Sequence, residues 1–218
     1  MITVEKISLR APRLNVREVL RYAGGGEESD VLSCLSEAQG VLSYNVCFAE
    51  TEISVRDGAV DFGFTSVESR DLSKNLSGCS AAVIFAATVG IGMDRLIGKY
   101  TRLSHSRAVM LQALGSERVE SLCDDFEDYI KERLGGDVKL RPRFSPGYGD
   151  LPLEFQKEVF ALLDCPRTND LTNLHGYKPR RRSKPSPSPA GKVDFTPAKR
   201  IYFAKQKRKR RMRRSPYG

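Results

Sequence analysis

A single long helical period constrains this chain more than any other feature of its sequence. From about Ser106 to Leu134 the apolar residues recur every three or four positions, and Gly135-Gly136 ends the pattern. The stripe consists of Leu111, Leu114, Val119, Leu122, Cys123, Phe126 and Ile130. The sequence therefore predicts one long amphipathic helix as the largest element of a globular part.

Shorter helices and strands are predicted around this helix. Helical spacing appears in "NVREVLRYAGG", "SDVLSCLSEAQ", "SRDLSKNLSGC", "GMDRLIGKY" and "PLEFQKEVFALLD". Strand-like runs are the hairpin "EISVRDGAVDFGF" with its Asp57-Gly58 turn, the apolar run at 80–90, and "DVKLRPRF". Strict β-α-β alternation is absent. The predicted fold class is α+β, a single domain with a mixed or antiparallel sheet and packed helices.

The charge of the chain is divided unevenly along the sequence. The whole chain has 36 Lys+Arg and 27 Asp+Glu, a net charge of +9. Residues 166–218 contain 17 basic and 2 acidic residues, whereas residues 1–165 contain 19 and 25. The last segment also has 7 of the 11 prolines and few apolar residues, so it cannot bury enough surface to fold alone. We therefore predict a domain over 1–165 followed by a disordered basic tail over 166–218.

Several classes of protein do not fit this composition. No run approaches the roughly 18 apolar residues of a membrane-spanning helix. The N-terminus lacks the apolar segment of a secretory signal, and the five cysteines are scattered without a Cys-x-x-Cys pair. These observations predict a cytoplasmic protein with reduced thiols and with no membrane, zinc site or disulfide framework.

The familiar catalytic motifs are also absent. "GIGMDR" has Arg95 where a dinucleotide-binding loop needs its third glycine, so a plain strand-to-helix turn is expected. The carboxylates of "CDDFEDY" are interpreted as a solvated acidic helix face. His105 has no partner that would make a nucleophilic triad. The sequence therefore predicts no catalytic residue and no metal ligand.

The stretch "RPRFSPGYGD" at 141–150 carries the candidate site. Ser145-Pro146-Gly147-Tyr148 has the residue types of a type II turn, in which Gly147 takes the positive φ. A glycine there also lets a ligand approach the backbone. Arg143 can offer a planar fork of donors to a carboxylate, and Tyr148 can offer a flat ring face. Asp150 is expected to cap the following helix. The alternative is a rigid corner with Arg143 solvated.

The chain resembles a known family over roughly residues 16–165. The segments "FTSVESRDLSKNLSGCSAAVIFAATVGIGMDRLI", "ALGSERVESLCDD" and "RFSPGYGDLPLEFQKEVFALLD" resemble stand-alone proteins related to the activation domain of cobalamin-dependent methionine synthase. The most specific match is Arg-x-x-Pro-Gly-Tyr, formed here by Arg143, Pro146, Gly147 and Tyr148. In that family the motif binds S-adenosylmethionine.

This resemblance implies a role in reductive reactivation. The module would bind S-adenosylmethionine when the cobalamin has been oxidised, and methyl transfer would be coupled to reduction by a flavodoxin-like donor. Cobalamin would be carried by the partner, a cobalamin-dependent methionine synthase that lacks its own activation domain. The chain would then be a component of a methyltransferase system for methionine biosynthesis rather than a complete enzyme.

The tail departs from the family pattern. Family members usually continue with a strand, a Ser-Met-Met-like stretch and a Pro-x-Lys-Ser-Val motif. Neither motif is present after Cys165, and no strand is expected there. One hypothesis is a changed reading frame in the gene, and the other is a genuine basic arm. A genuine basic arm would give the chain an alternative function, that of a non-enzymatic binding protein. Its tail, which contains "KQKRKRRMRR", would contact nucleic acid by neutralising phosphates.

Overall fold

The apolar run that the sequence predicts as a buried strand lies inside a four-stranded antiparallel sheet. The computed structural model of the protein describes residues 2–135 and 139–164, and the backbone of 199–206. The strands of this sheet are β1 (Val4–Ser8), β2 (Asn45–Glu52), β6 (Ala81–Thr88) and β7 (Lys199–Gln206), in the order β1-β2-β6-β7. In β6 every residue from Ala82 to Thr88 is buried, because both faces of the sheet are covered.

The helices follow the sequence pattern closely. They are α1 (Val16–Ala23), α2 (Glu28–Ala38), α3 (Arg70–Asn75), α4 (Ile91–Leu103), α5 (His105–Arg133) and α6 (Gln156–Leu162), the last preceded by a 3₁₀ turn at Leu153–Phe155. Gly24 ends α1 in the left-handed conformation, with φ +77°. The predicted 106–134 helix is thus confirmed as α5, which begins one residue earlier and ends one residue earlier.

A second, smaller antiparallel sheet contains the predicted hairpin. Its strands are β3 (Ser54–Arg56), β4 (Ala59–Asp61) and β5 (Ser66–Glu68), in that order. Asp57 and Gly58 connect β3 to β4 with φ values of +48° and +83°. Two consecutive positive φ values are those of a type I′ hairpin turn, which explains the Asp-Gly pair.

Two apolar layers hold the elements together on opposite faces of the four-stranded sheet. On one face Phe48 and Phe85 pack against Phe126 of α5, with ring centroids 5.2 and 4.7 Å apart. On the other face Ile84 lies in a second cluster with side chains of β4, α3 and α6, among them Val60, Leu72, Leu76 and Val159. The α+β prediction is confirmed, and both sheets are antiparallel.

A buried ion pair fastens the segment between β1 and α1 onto α5. Arg118 and Glu117 are only 2% and 1% exposed, and Arg118 Nε donates to Glu117 Oε2 over 2.6 Å. Arg118 also donates to the carbonyl oxygens of Pro12 and Arg13, at 2.7 and 2.8 Å. The backbone N–H of Asn15 donates to Glu117 Oε1 over 2.9 Å. Every charged atom named here has a hydrogen-bond partner, as burial requires.

The structure differs from the sequence expectations at three places. The strand expected at "DVKLRPRF" is reduced to isolated bridge residues, Lys139 and Phe144, within the described part of that stretch. The strands β1, β2 and β5 were not predicted. In the segment expected to be disordered, Lys199–Gln206 form β7 and pair with β6 over its whole length. The domain boundary at 165 stays a prediction, because residues 165–198 lie outside the described residues.

Candidate ligand-binding site

The candidate turn has the conformation that its residue types predict. Tyr148 N donates to the carbonyl oxygen of Ser145 over 3.0 Å, which is the closing hydrogen bond of a four-residue turn. Gly147 has φ +89°, near the value required at the third position of a type II turn. A second bond, from Gly147 N to Leu151 O at 2.9 Å, folds the next residues back onto the turn. Within the turn, Pro146 is buried and Gly147 is exposed.

Arg143 lies against the acidic residues of α5. Its Nη1 atom donates to Asp124 Oδ1 at 2.6 Å and to Glu127 Oε1 at 2.9 Å, and its Nη2 atom donates to Glu120 Oε2 at 3.1 Å. The Arg143 side chain is 18% exposed. Burial alone would lower the pKa of Arg143, but the hydrogen bond to Asp124 and the surrounding negative charge raise it above its ordinary value. This arginine therefore stays charged and is held rigidly.

The interpretation of "CDDFEDY" as a solvated acidic helix face holds for its three aspartates, which are exposed, and needs correction for the half-buried Glu127. Glu120, Asp124 and Glu127 follow the i, i+4, i+7 spacing of one face of α5, and all three contact Arg143. Only Asp124 is mostly exposed, with a side-chain exposure of 68% against 19% for Glu120 and 21% for Glu127. The spacing was visible in the sequence, but nothing in it indicated that Arg143 would pack there.

The resulting cluster has an excess of negative charge. Three carboxylates surround one guanidinium, and burial raises the pKa of Glu127 although Arg143 opposes this change. Arg143 was predicted to face a ligand carboxylate; in the structure its guanidinium faces these protein carboxylates. A cationic group placed beside the cluster would relieve the repulsion among the carboxylates.

Tyr148 presents an exposed aromatic ring at the end of the same stretch. Its side chain is among the most exposed large apolar side chains of the described residues, at 70%. The ring meets that of Phe144 edge-on, with centroids 6.3 Å apart and an interplanar angle of 66°. An aromatic ring with this exposure is accessible to a flat or cationic group.

Asp150 caps a different helix from the one that the sequence indicated. Its carboxylate accepts from the backbone N–H groups of Arg70 at 2.8 Å and Asp71 at 3.3 Å, and from the hydroxyl of Ser69. These groups belong to the start of α3, not to the helix that follows Asp150. The Ser69 hydroxyl, with the two N–H groups, lowers the pKa of Asp150 below its usual value. The expectation of a local cap was wrong because a helix start more than seventy residues earlier in the chain lies nearer.

The Gly-Ile-Gly stretch at 90–92 serves close packing. A Cβ on Gly90 would approach the Ser43 backbone nitrogen to 3.3 Å, and one on Gly92 would approach Val41 O to 2.6 Å. The two glycines therefore let the start of α4 lie directly on the turn after α2. This supports a plain strand-to-helix turn rather than a phosphate loop. Within the described residues no cluster of His, Cys, Asp or Glu could hold a metal ion.

A cavity of about 420 Å³ lies elsewhere, between the α1–α2 connection and the first turns of α5. Its lining includes Gly25, Gly26, Asp30, Cys34, Ser104 and Arg107. Arg107 already forms an ion pair with Glu37, in which Nη2 donates to Oε2 over 2.9 Å. Burial raises the pKa of the Cys34 thiol. None of the four predicted site residues lines this cavity.

Comparison with known proteins identifies a structural relative. No protein-family model matches the chain. No curated protein sequence matches it either. The fold is similar to the crystal structure of the MetH reactivation domain bound to AdoHcy, with a TM-score of 0.53 and 11% sequence identity over 74% of this chain and 70% of that chain. Among the residues described, no helix is long and apolar enough to cross a membrane. At this identity the likeness establishes a shared fold.

Proposed function

We propose that the chain binds S-adenosylmethionine along residues 143–148. The observation that carries the proposal is the combination of two features in one molecule. The fold is similar to that of a domain bound to AdoHcy, and the Arg143–Tyr148 stretch forms a rigid turn with an exposed positive-φ glycine. AdoHcy and S-adenosylmethionine differ by one methyl group and the charge that it places on sulfur.

The chemistry of the cluster suits this ligand. S-adenosylmethionine has an α-carboxylate, an α-ammonium and a positively charged sulfonium. The carboxylate would take donors of Arg143, while the two cationic groups would lie near Asp124 and Glu127, which now crowd around that guanidinium. Gly147 would admit the ligand to the backbone, and the face of Tyr148 would support the adenine ring or the sulfonium. Pro146 would keep the turn in shape.

The finer role that we propose is reactivation of a cobalamin-dependent methionine synthase. The chain would supply the S-adenosylmethionine site, the synthase would carry cobalamin and lack its own activation domain, and a flavodoxin-like protein would supply the electron. The structural likeness to a MetH reactivation domain supports this assignment. The chain's own residues bind and orient the methyl donor, and the cobalt chemistry belongs to the partner.

Titration calorimetry of the purified full chain with S-adenosylmethionine tests the proposal directly. We expect one site per chain and expect AdoHcy to compete for it. Arg56→Ala is the matched control for Arg143→Ala, because Arg56 is an exposed arginine of β3, outside the site. Absence of binding by a folded wild-type chain would contradict the proposal. If binding is found, recovery of activity by an oxidised synthase on addition of the chain and a flavodoxin tests the finer role.

A further inference from the structure

We infer that α3 is the platform that positions the ligand-binding turn, and that Asp150 and Asn75 are positioning residues of the site. Neither residue belongs to the 143–148 stretch that would contact the ligand. The inference rests on the proposed function, because it takes that stretch to hold S-adenosylmethionine. It adds residues that act on affinity through the turn and not through contact with ligand.

The first tether joins the end of the site stretch to the start of α3. Asp150 Oδ2 accepts from Arg70 N at 2.8 Å, and Asp150 Oδ1 accepts from Asp71 N at 3.3 Å and from the Ser69 hydroxyl. The same Ser69 oxygen accepts from Leu72 N at 3.1 Å. One carboxylate therefore satisfies backbone donors that α3 cannot satisfy internally. Asp150 lies two residues beyond Tyr148, so the turn cannot move away from α3 without breaking these bonds.

The second tether joins the beginning of the stretch to the end of α3. Asn75 Nδ2 donates to the carbonyl oxygen of Pro142 over 3.3 Å. Asn75 Oδ1 is buried and has no hydrogen-bond partner within the described residues. An amide that leaves one of its own atoms unsatisfied in order to reach Pro142 is costly to stability. What the Asn75 amide provides in the structure is its contact with Pro142, which fixes the position of residues 142–143.

Close packing between the two tethers leaves little freedom. A Cβ on Gly149 would overlap the Asp71 carboxylate, so the chain lies directly on α3 at this point. The platform itself is fixed, because Leu72 and Leu76 are fully buried in the apolar layer beneath α3. The site stretch is therefore held at Pro142 and at Asp150, with Arg143 and the turn between these two points.

Holding both ends lowers the conformational entropy that ligand binding would otherwise lose. A loop that is already ordered in its binding conformation gives tighter binding than a free one with the same contacts. Loss of either tether should therefore weaken binding without removing any ligand contact. This differs from the expected effect of Arg143, which would contact the ligand itself.

The experiment compares affinity for S-adenosylmethionine with thermal stability in matched variants of the full chain. We expect Asp150→Ala to weaken binding about tenfold, the size of one lost charge-assisted hydrogen bond. Asp150→Asn should recover part of this loss, because its amide oxygen can still accept from Arg70 N. Asn75→Ala should weaken binding in the same direction. If Asp150→Ala does not fold, the affinity of Asn75→Ala for S-adenosylmethionine tests the inference instead.

Asp30→Ala is the matched control. Asp30 also accepts a backbone N–H at a helix start, that of Glu27 at 3.3 Å, but on α2 and away from the site. Asp30→Ala should lower the melting temperature and leave the affinity for S-adenosylmethionine unchanged. Equal affinity for wild type, Asp150→Ala and Asn75→Ala would overturn the inference and leave the proposed function standing. A loss of affinity in Asp30→Ala as large as in Asp150→Ala would overturn it too. A folded wild type that does not bind would overturn both.

Discussion

The Arg143 guanidinium donates to the Asp124 carboxylate over 2.6 Å, joining the candidate turn to the middle of the long helix α5. Because Glu120 and Glu127 flank the same contact, the arginine is fixed in place while negative charge remains in excess. An arginine held in this way has little side-chain freedom left to lose when a ligand binds.

Replacement of Arg143 tests its contact with the ligand. Arg143→Ala should weaken binding of S-adenosylmethionine by about 10- to 100-fold, because a charge-assisted contact contributes roughly 1.5–3 kcal/mol. Arg143→Lys should restore only part of the affinity, since a point charge cannot reproduce the planar fork. Calorimetry on both variants gives the dissociation constants, and circular dichroism checks the fold. Undiminished affinity in a folded Arg143→Ala protein would mean that the stretch is only a structural corner.

Replacement of Gly147 tests the backbone approach. A side chain at φ +89° is strained by roughly 1–2 kcal/mol, and its Cβ would come within 3.2 Å of Leu153 Cδ1. Gly147→Ala should therefore lower stability and weaken ligand binding at least as much as Arg143→Ala. Gly98→Ala is the control, because a Cβ there meets nothing within 4 Å and Gly98 lies inside α4. Thermal melts should show Gly98→Ala equal to wild type or more stable.

The buried pair Glu117–Arg118 should dominate the stability of the helical layer. Arg118→Ala leaves the Glu117 carboxylate buried without its cation, and breaking such a pair costs about 3–5 kcal/mol. It also frees the Pro12 and Arg13 carbonyls that Arg118 now binds. Urea denaturation measures the change in free energy of unfolding. Combining Arg118→Ala with Glu117→Gln should recover part of the loss, and no recovery would show that the carbonyl contacts matter more than the buried charge.

Acid should loosen the attachment of the turn to α3. The pKa of Asp150 is lowered by its hydrogen bonds, first that from the Ser69 hydroxyl. A lowered folded-state pKa means that this contribution to stability is fully present above the unfolded value of about 3.9 and is lost as pH falls through the folded value. Comparing melting temperatures from pH 6 to pH 2 should show a smaller acid loss in Asp150→Asn than in wild type. Parallel curves for the two proteins would contradict this assignment.

Two truncations separate the sheet from the basic end of the tail. A chain ending at Gln206 keeps β7 and loses "KRKRRMRR", whereas a chain ending at Cys165 also loses the strand that pairs with β6. We expect the longer chain to melt near the wild-type temperature. The shorter one should be destabilised and prone to aggregation, because it exposes the edge of β6. Equal melting of the two would show that β7 contributes nothing to stability.

The full chain and the chain ending at Gln206 together test the alternative function. If the tail binds nucleic acid through phosphate contacts, a short DNA duplex should bind the full chain with a strong dependence on salt and should bind the Gln206 chain much more weakly. S-adenosylmethionine should bind both chains equally. Retention of DNA binding without the last twelve residues would place the contact elsewhere in the chain.

Local chemistry was enough to predict several elements from the sequence. The Ser145-Pro146-Gly147-Tyr148 turn and the Asp57-Gly58 hairpin need only neighbouring residues, since proline fixes one φ and glycine accepts a positive one. The long helix α5 is likewise determined by the spacing of its apolar residues and by the glycines that end it. Each of these features depends on residues a few positions apart, which a single sequence displays directly.

The tertiary structure decided which distant residues meet. Asp150 was expected to cap the next helix, but its oxygens bind the start of α3 about eighty residues away. Arg143 was expected either to contact a ligand carboxylate or to be solvated, but packing brings its guanidinium onto the carboxylates of α5. β7 forms in a segment without sustained periodicity because the open edge of β6 offers it a full ladder of partners. Hydrogen bonds and ion pairs between distant segments depend on geometry that forms only after the layers pack, so a single sequence does not reveal them.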